Sequence, residues 1–374
     1  AEWNTACEEF DCGGRMMIDT VMKRVQQGQF TLVAEIGVNY YDVAEKLHIS
    51  LMEAAKFMIL EAKNAGIHAV KFQSYKADTL AAKNSPSYWD TSEETTTSQY
   101  ELFRKFDAFG KEDYRELSGF CDSIQIEFLS TPFDFASADY LEPMMNIYKI
   151  SSSDLSNLPF IEYMAKKNHP IMLSVGASDE EEIDRAVALI RRSTQAPLML
   201  LHCVLEYPTP YEHANLRKII ALKKRYPDVY IGYSDHTRPD DGCDVIKTAY
   251  LMGATVVEKH FTVDKTLRGN DHYHAMDGHD AQKMIAGIAF LERIAGDETL
   301  THLASEQAAR QNARRSIVAA VDILPGQKIT REMLTFKRPG HGIAPAEIER
   351  VLGKTVKEMI AEDTVMLPGM IVSY

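Results

Sequence analysis

From residue 31 onward, short apolar runs alternate with longer segments in which apolar residues recur at helical spacing. The runs are rich in β-branched residues, as expected for buried parallel strands, and the segments between them have the length of amphipathic helices. This alternation is typical of repeated strand–helix units. Eight apolar runs occur, at residues 31–36, 67–73, 126–130, 146–150, 170–174, 198–203, 229–234 and 255–261.

The number of apolar runs determines the predicted architecture. A closed (β/α)8 barrel consists of eight strand–helix units, the number found here. The alternative is an open doubly wound sheet, but no Gly-x-Gly-x-x-Gly turn follows the first run, and the polar residues are not gathered near one switch point. We therefore predict an α/β fold in which residues 31–296 form a TIM barrel.

The pattern changes after residue 296. Residues 297–312 are typical of a helical linker, and residues 313–374 contain short strand patterns separated by Pro-Gly turns. A unit of about 60 residues is marginally stable alone, so we expect it to pack on another surface. Residues 1–30 are rich in acids and lack the apolar segment of a signal peptide, and we interpret them as an N-terminal extension.

Nearly every predicted strand ends in a side chain that can take part in chemistry. In a barrel these ends converge on one mouth, where barrel enzymes carry their active sites. One polar residue at a strand end is common, but repetition over eight strands favours catalysis over a solvated edge. The residues are Glu35, Lys71, Gln73, Ser130, Lys149, Ser174, His202, Ser234, His236, Glu258 and His260.

Two histidines near neighbouring strand ends indicate a metal site. Residues two apart on a strand face the same side, so Glu258 and His260 share a face, and His236 follows the adjacent seventh strand. Imidazoles suit zinc and first-row metals, and two protein ligands would leave positions open for water and substrate, as in a catalytic site. The alternative is that each histidine merely hydrogen-bonds within a polar layer.

Lys71 and Lys149 end the second and fourth strands after residues that should be buried, so each must find an anion. A Schiff-base role, phosphate or carboxylate binding, and salt bridges between strands are the alternatives. The hydroxyls near both lysines favour an anion cradle, because neutral donors complement a doubly charged group. Cys203, in contrast, is interpreted as a buried strand residue rather than a nucleophile.

The net charge of −13 over 374 residues disfavours a nucleic acid or an anionic membrane as the main partner. The five cysteines form an odd set without Cys-x-x-Cys pairs, which argues against a disulfide framework and a zinc ribbon. Reduced thiols in a cytoplasmic protein fit this composition best.

The order of motifs along the chain resembles the sialic acid synthase family. The matching segments are AEIGVNY, AVKFQSY, FLSTPFD, YKISSSDLSNLPFI, IMLSVGAS, YPTPYE, IGYSDHT and EKHFTVDKT followed by GNDH. The tail segment KRPGHGIAP is similar to the C-terminal antifreeze-like (SAF) domain of that family. The resemblance extends from about residue 30 to the end of the chain, and it is the joint order of the motifs that makes it specific.

The resemblance implies a reaction and a set of roles. Members condense phosphoenolpyruvate with an N-acylated mannosamine-type sugar to give a nine-carbon 2-keto acid and phosphate. Glu35, Lys71, Lys149 and Glu258 are then expected to be catalytic, and His236 and His260 to bind Mn²⁺ or Mg²⁺. The expected substrate contacts are Gln73, Ser152, Asp154, Ser174, Tyr207, Ser234, Asp271, His272 and Arg338.

The resemblance also implies a domain-swapped homodimer, in which the tail of one subunit covers the mouth of its partner and Arg338 contacts the N-acyl group. Leu205 and Glu206 stand where many members have polar residues, and Asp154 stands where several have glutamate. These departures leave three acceptors open: N-acetylmannosamine, its 6-phosphate, or a diamino-dideoxy sugar. The alternatives to this function are a synthase acting on another aldose or aldose phosphate, and a catalytically silent barrel that binds a sugar acid.

Overall fold

A computed structural model of the chain describes residues 18–89, 91, 94–269 and 271–374. The chain divides into two compact units, residues 1–295 and 296–374. Residues 1–17, which include most of the N-terminal extension expected from the sequence, lie outside the described residues.

The first unit is built on eight parallel strands that follow one another around a ring, which confirms the predicted barrel. The ladder runs from β3 through β2, β1, β8, β7, β6 and β5 to β4, and β3 and β4 lie next to each other where the ring closes. The observed strands begin and end within about two residues of the predicted runs. Their bounds are β1 Thr31–Gly37, β2 Ala69–Ser74, β3 Glu127–Pro132, β4 Tyr148–Ile150, β5 Ile171–Ser174, β6 Leu198–Cys203, β7 Tyr230–Asp235 and β8 Val256–His260.

Helices surround the strands on the outside. Capping boxes begin two of the longer helices, with Ser50 and Glu53 before one and Asp179 and Glu182 before the other. No helix in the described part of the chain is long and apolar enough to cross a membrane. The bounds in this unit are α1 Thr20–Gln26, α2 Tyr40–Leu47, α3 Leu51–Asn64, α4 Ala77–Leu80, α5 Gln99–Lys105, α6 Lys111–Ser123, α7 Phe135–Leu141, α8 Leu158–Ala165, α9 Glu180–Ser193, α10 Arg217–Arg225, α11 Asp244–Leu251 and α12 Gly278–Ala295.

The interior of the barrel changes from apolar to polar along each strand. Alternate side chains of a strand face the same side, and the inward series begin with small or aliphatic residues that form one buried cluster. Gly232 contributes to this cluster by its size, because a Cβ there would collide with Val256 of the neighbouring strand. The apolar cluster comprises Val21, Met22, Val25, Val33, Ala69, Leu129, Ile147, Met172, Met199, Leu201 and Val256.

Part of the expected N-terminal extension belongs to this core. Val21, Met22 and Val25 of α1 are buried in the same cluster as the inward-facing residues of the strands, so this helix covers the apolar end of the barrel. The apolar pattern of the sequence predicted a barrel that begins at residue 31. The structure differs because one short amphipathic turn, which gives a weak periodic signal, is enough to bury three apolar side chains.

The second unit is a small β-rich domain with its own core. Antiparallel strands β9 (Ser316–Ala319) and β10 (Leu334–Lys337) pair, and isolated bridges such as Ile323 with Ile360 extend the hydrogen bonding. Two helices, α13 (Gln307–Ala313) and α14 (Ile348–Val351), also belong to this unit. Its buried apolar residues are Ile317, Ala319, Ile323, Ile329, Leu334, Ile343, Val351, Val356, Ile360, Met366 and Ile371.

The contact between α1 and the barrel includes a buried carboxylate. Glu127 Oε2 accepts hydrogen bonds from the backbone N–H groups of Thr20 (2.7 Å) and Val21 (2.6 Å), which are unpaired donors of the first helical turn. Glu127 Oε1 is buried and has no partner among the described residues. Burial raises the pKa of Glu127 from its ordinary value of 4.5 to about 7, even though both backbone donors oppose this shift.

This raised pKa predicts a pH-dependent stability. Between pH 4.5 and about 7 the folded chain holds a proton on Glu127 that the unfolded chain releases, so stability should fall as pH rises through this window. The full effect is about 3 kcal/mol at 1.36 kcal/mol per pKa unit. Glu127→Gln should flatten the fall of the Tm across this window, as measured by thermal unfolding at several pH values.

Glu116→Gln is the matched control, because Glu116 is exposed and pairs only with Lys56 at the surface. Its pH profile should follow that of the unaltered protein. An unchanged slope in Glu127→Gln would show that other groups carry the pH dependence.

Candidate active site

A cavity opens at the carboxyl ends of the barrel strands, and its empty space, open solvent included, is about 400 Å³. The inward positions that follow the apolar cluster supply its walls, which are dominated by charged and hydroxyl side chains. Eleven of the fifteen site residues expected from the sequence line it. The full set is Glu35, Lys71, Gln73, Thr131, Phe133, Lys149, Ser151, Ser152, Ser174, Cys203, Leu205, Tyr207, Ser234, His236, Glu258 and His260.

Lys71 is held by a buried network of acids and a hydroxyl. Its Nζ lies 2.5 Å from Glu35 Oε2 and 3.7 Å from Glu258 Oε1, and it donates to Thr131 Oγ1 at 2.9 Å. Glu35 Oε1 accepts a further hydrogen bond from Gln73 Nε2 at 2.7 Å. Burial alone would lower the pKa of Lys71, but the carboxylates of Glu258 and Glu35 outweigh it and raise that pKa. Lys71 is therefore a charged ammonium group.

Lys149 has fewer negative partners than Lys71. Its Nζ donates to Ser174 Oγ at 2.8 Å and lies 3.8 Å from Glu258 Oε1. Burial lowers the pKa of Lys149, and the positive charge of Lys71 lowers it further. The negative charge of Glu258 raises this pKa but compensates only in part. An anion entering the cavity would relieve this, so Lys149 is the cation in the site with the most to gain from a ligand.

The surroundings of the two glutamates shift their pKa values in opposite directions. Burial raises the pKa of Glu35 above its ordinary value, against the opposing effect of Lys71. Burial also acts to raise the pKa of Glu258, but Lys149 and Lys71 together hold it below its ordinary value. Two carboxyl groups whose environments push their pKa values apart are the usual arrangement for acid and base roles in one site.

Small side chains complete the wall beside Lys149. Ser152 Oγ accepts a hydrogen bond from the Gly176 N–H at 2.9 Å, and Ser234 Oγ donates to Glu258 Oε1 at 3.3 Å. Cys203 is buried, and burial raises the pKa of its thiol to about 11, so the thiol is protonated. This agrees with its interpretation as a strand residue and not a nucleophile.

Three imidazole rings surround Tyr207 at one side of the mouth. The ring centroids of His236, His260 and His274 lie 4.1, 6.1 and 5.7 Å from that of Tyr207. His236 Nδ1 donates to the Val204 carbonyl at 2.6 Å, which leaves Nε2 as its ligating atom. Burial lowers the pKa of His236 to about 4 and those of His260 and His274 well below the ordinary value, so all three rings are neutral and have a lone pair to offer.

A carboxylate lies beside these rings. Asp271 Oδ2 is 3.6 Å from His260 Nδ1, and one donor atom each from His260, Asp271 and His274 lie within 4.8 Å of one another. The ring of His236 is 5.6 Å from that of His260. Burial raises the pKa of Asp271 to about 7, and the nearby charges of Glu35 and Asp42 add to this shift. The donor set of neutral imidazoles and one acid fits a divalent ion.

A second cavity, with about 720 Å³ of empty space that includes open solvent, adjoins the first and shares Gln73, Tyr207 and His260 with it. It is more aromatic than the first and combines apolar rings with a few polar groups, as sites for small polar ligands do. Asp271 lines this cavity. Its other walls are Val38, Asn39, Asp42, Tyr75, Tyr88, Trp89, Leu102, Phe103 and Phe106.

Comparison with known proteins gives the family. The NeuB family model matches residues 58–299 and the SAF domain model matches residues 314–372. The chain belongs to the NeuB family. The N,N'-diacetyllegionaminic acid synthase of Legionella pneumophila is 33% identical over 362 residues, 95% of this chain and 98% of that protein.

Two further NeuB-type relatives are synthases of other sugar acids. The N-acetylneuraminate-9-phosphate synthase of Drosophila melanogaster is 29% identical over 386 residues, 96% of this chain and 100% of that protein. The N-acetylneuraminic acid (sialic acid) synthetase from Leptospira borgpetersenii, known from a crystal structure, has 30% sequence identity to this chain and a TM-score of 0.65. The matched region covers 75% of this chain and 90% of that protein. The resemblance to the sialic acid synthase family with an antifreeze-like domain is thereby confirmed.

Some of the site residues predicted from the sequence lie outside the first cavity. His272 is fully buried, with Nε2 3.0 Å from Asp42 Oδ2 and Nδ1 2.8 Å from Thr262 Oγ1, so both nitrogens brace the loop that carries Asp271. Asp154 accepts from Asn157 Nδ2 at 3.2 Å and lines neither cavity. Arg338 lies in the second unit, exposed, directly after β10.

Two strand-end residues were expected on the wrong side of the barrel wall. Ser130 Oγ pairs with Ser74 Oγ at 2.7 Å, and His202 Nε2 lies 2.8 Å from the Ala214 carbonyl, so neither lines the mouth. Their neighbours Thr131 and Cys203 face the cavity instead. The signal that could have found them is the two-residue spacing from the apolar cluster, since Thr131 follows Leu129 and Cys203 follows Leu201.

The lysine–glutamate network predicts the effect of removing one acid from the NeuB-family site. Glu258→Gln leaves Lys71 and Lys149 buried with Glu35 as the remaining acid of the network, and breaking a buried ion pair in this way should cost about 3 kcal/mol of stability. Inorganic phosphate should restore much of the lost Tm by replacing the missing negative charge. Thermal unfolding with and without phosphate measures both effects.

Glu116→Gln again serves as the control, because the Lys56–Glu116 pair is partly exposed and should contribute little. A Glu258→Gln variant as stable as the unaltered protein without phosphate would contradict the charge balance described above.

Proposed function

We propose that this protein is a phosphoenolpyruvate-dependent synthase, which condenses phosphoenolpyruvate with an N-acylated mannosamine-type sugar to give a nine-carbon 2-keto acid and phosphate. The observation that carries the proposal is the pair of buried lysines at the mouth, Lys71 and Lys149, surrounded by hydroxyl groups and balanced by two glutamates. The activities of the NeuB-family relatives, which are synthases of legionaminic acid, N-acetylneuraminate 9-phosphate and sialic acid, support it.

The lysine side of the cavity suits phosphoenolpyruvate. Lys149 and Ser174 lie together, and Ser152 and Ser234 are within the same wall, so charged and neutral donors converge on one region. A phosphate and a carboxylate on one small molecule need such a mixture of ammonium and hydroxyl donors. Because the lysines are buried, their attraction for the anion is stronger than it would be in water.

The reaction joins two carbon atoms and consumes one water molecule. C3 of phosphoenolpyruvate attacks the aldehyde carbon of the sugar, the aldehyde oxygen takes up a proton, and water adds at C2 before phosphate leaves. Glu35, whose pKa burial raises, is the proposed group that moves a proton at the aldehyde oxygen. Glu258, held ionised by Lys71 and Lys149, is placed to accept a proton from the attacking water. The lysines act electrostatically and form no Schiff base.

His236 and His260 are the proposed holders of a divalent ion, Mn²⁺ or Mg²⁺. Their neutral rings fit such an ion, and His260 Nδ1 is buried with no hydrogen-bond partner among the described residues, as expected of an atom that is free to ligate. When bound, the ion would polarise the aldehyde of the acceptor. Tyr207, in contact with the rings of both histidines, keeps them in place.

The aromatic cavity is the proposed subsite for the acceptor sugar. Asn39, Asp42 and Asp271 offer hydrogen bonds to hydroxyl groups, and the surrounding rings can stack on the apolar face of a sugar. Leu205 lines the first cavity at the position where a polar residue was expected, whereas Glu206 is exposed and lies 2.9 Å from His213 Nδ1. The acceptor is therefore proposed as a class, the N-acyl hexosamines.

The first prediction of this proposal concerns phosphate release. The protein should release phosphate from phosphoenolpyruvate when supplied with Mn²⁺ and at least one member of a panel of N-acyl hexosamines. Lys149→Met should lower kcat/KM by about 100-fold, because it removes a charged donor from the preorganised site. A chelator should also stop the reaction.

Lys56→Met is the matched control, since Lys56 lies on the outer helix α3 and pairs with Glu116. Its kcat/KM should be that of the unaltered protein. Full activity of Lys149→Met would overturn the proposed role of the lysine. Phosphate release with an aldose phosphate but with no N-acyl hexosamine would identify a different acceptor. A rise in the Tm of the protein on adding phosphoenolpyruvate, without phosphate release, would identify a catalytically silent barrel.

The second prediction concerns the proposed domain-swapped homodimer, in which Arg338 of one subunit completes the site of the other. Arg338→Ala and Lys149→Met should each be inactive alone. After mixing under conditions that exchange subunits, a mixed dimer has one intact barrel facing one intact arginine, so about a quarter of the activity should return. No recovery after proven exchange would contradict a shared site, as would a purely monomeric protein in sedimentation.

A further inference from the structure

His274 is a buried histidine without a partner. It is fully buried, and neither Nδ1 nor Nε2 has a hydrogen bond to any residue that the structure describes. Buried polar groups are almost always hydrogen-bonded, so an imidazole with two unpaired nitrogens needs an explanation. The ring packs against Tyr207, His260 and Tyr273, a position that a leucine or phenylalanine could fill without this cost.

The other buried histidines of the barrel unit show the contrast. His202 contacts the Ala214 carbonyl, and His272 contacts both Thr262 and Asp42. The unpaired nitrogens are confined to the mouth, where His260 Nδ1 and both nitrogens of His274 lack hydrogen bonds within the described residues. The ring centroids of His260 and His274 are 4.9 Å apart.

The unpaired atoms and one carboxylate converge on a small volume. Donor atoms of His260, Asp271 and His274 all lie within 4.8 Å of one another. Imidazole nitrogens lie about 2.1 Å from zinc, so ligands on opposite sides of such an ion are about 4 Å apart. A slight contraction of the side chains therefore brings all three donors to one ion.

We propose that His274 is a direct ligand of a divalent ion that it shares with His260, Asp271 and His236, which makes the site selective for transition-metal ions over Mg²⁺. Imidazole donors suit Zn²⁺ and other first-row transition metals, whereas Mg²⁺ prefers oxygen donors and keeps several waters. The inference rests on the proposed function only in placing an ion at the mouth. It adds a third imidazole and an order of metal preference.

Calorimetric titration of the full chain with Mn²⁺ and with Mg²⁺ tests the ligand role. The unaltered protein should bind Mn²⁺ more tightly than Mg²⁺. His274→Leu and His274→Gln should each weaken Mn²⁺ binding by about tenfold or more while changing Mg²⁺ binding less. With Co²⁺, the visible absorption spectrum should change in both variants, because it reports the number of nitrogen ligands. Unchanged Mn²⁺ affinity and an unchanged cobalt spectrum in both variants would overturn the proposal.

Thermal unfolding separates ligation from packing. Without metal, His274→Leu should be at least as stable as the unaltered protein, because it removes two unpaired buried nitrogens. With Mn²⁺, its rise in Tm should be smaller. A variant that is less stable without metal but gains the full Mn²⁺-dependent rise would show that His274 serves packing, which would also overturn the proposal.

His202→Leu is the matched control. Like His274→Leu, this variant replaces a buried histidine with leucine, but here the Ala214 carbonyl loses its hydrogen bond to the histidine. The variant should therefore be less stable than the unaltered protein without metal, and it should keep the full Mn²⁺-dependent rise in Tm. Failure of this inference is distinguishable from failure of the proposed function. If His236→Ala abolishes Mn²⁺ binding while His274→Leu does not affect it, only the role of His274 falls, and phosphate release from phosphoenolpyruvate tests the function independently.

Discussion

Each strand of the barrel points alternate side chains into a closed interior, and every polar group placed there must find its partner inside. This constraint explains why the interior is apolar at the end covered by α1 and polar at the mouth. It also explains the balance of charges, since Lys71 and Lys149 would be costly without Glu35 and Glu258. Among the buried atoms of the described residues that lack hydrogen-bond partners, those of His260 and His274 at the mouth mark the place where a ligand is expected.

The sequence predicted the fold well because strand identity depends on local composition. All eight strands were found within about two residues, and each strand-end cluster except those of β3 and β6 supplied its expected residue to the mouth. The errors at Ser130 and His202 have one cause. Both runs carry apolar residues on both faces, as buried parallel strands do, so polarity alone did not show which of two adjacent residues faces inward. The missed helix α1 has only seven residues and gives little periodic signal.

The loop after β8 could not be predicted in the same way. Asp271, His272 and His274 lie within four residues, and nothing local distinguishes a brace from a ligand. The difference comes from residues distant in the sequence: Asp42 binds His272, whereas His274 meets the rings of Tyr207 and His260. Such contacts depend on the closed ring that brings β1 beside β8, and they become visible only once the chain is folded.

The position of the cations also follows from the charge of the whole chain. With a net charge of −13, the protein repels an anionic substrate at long range, although salt screens this beyond about 8 Å at physiological ionic strength. Capture of such an anion must therefore depend on short-range contacts. Salt would also screen the attraction of lysines on the surface. Lys71 and Lys149 are almost completely buried, so their attraction for an anion acts through a medium of low dielectric constant. This attraction reaches only a molecule that has entered the mouth. The acidic chain and its two buried lysines thus favour a small anion that fits the cavity over a large polyanion that cannot enter it.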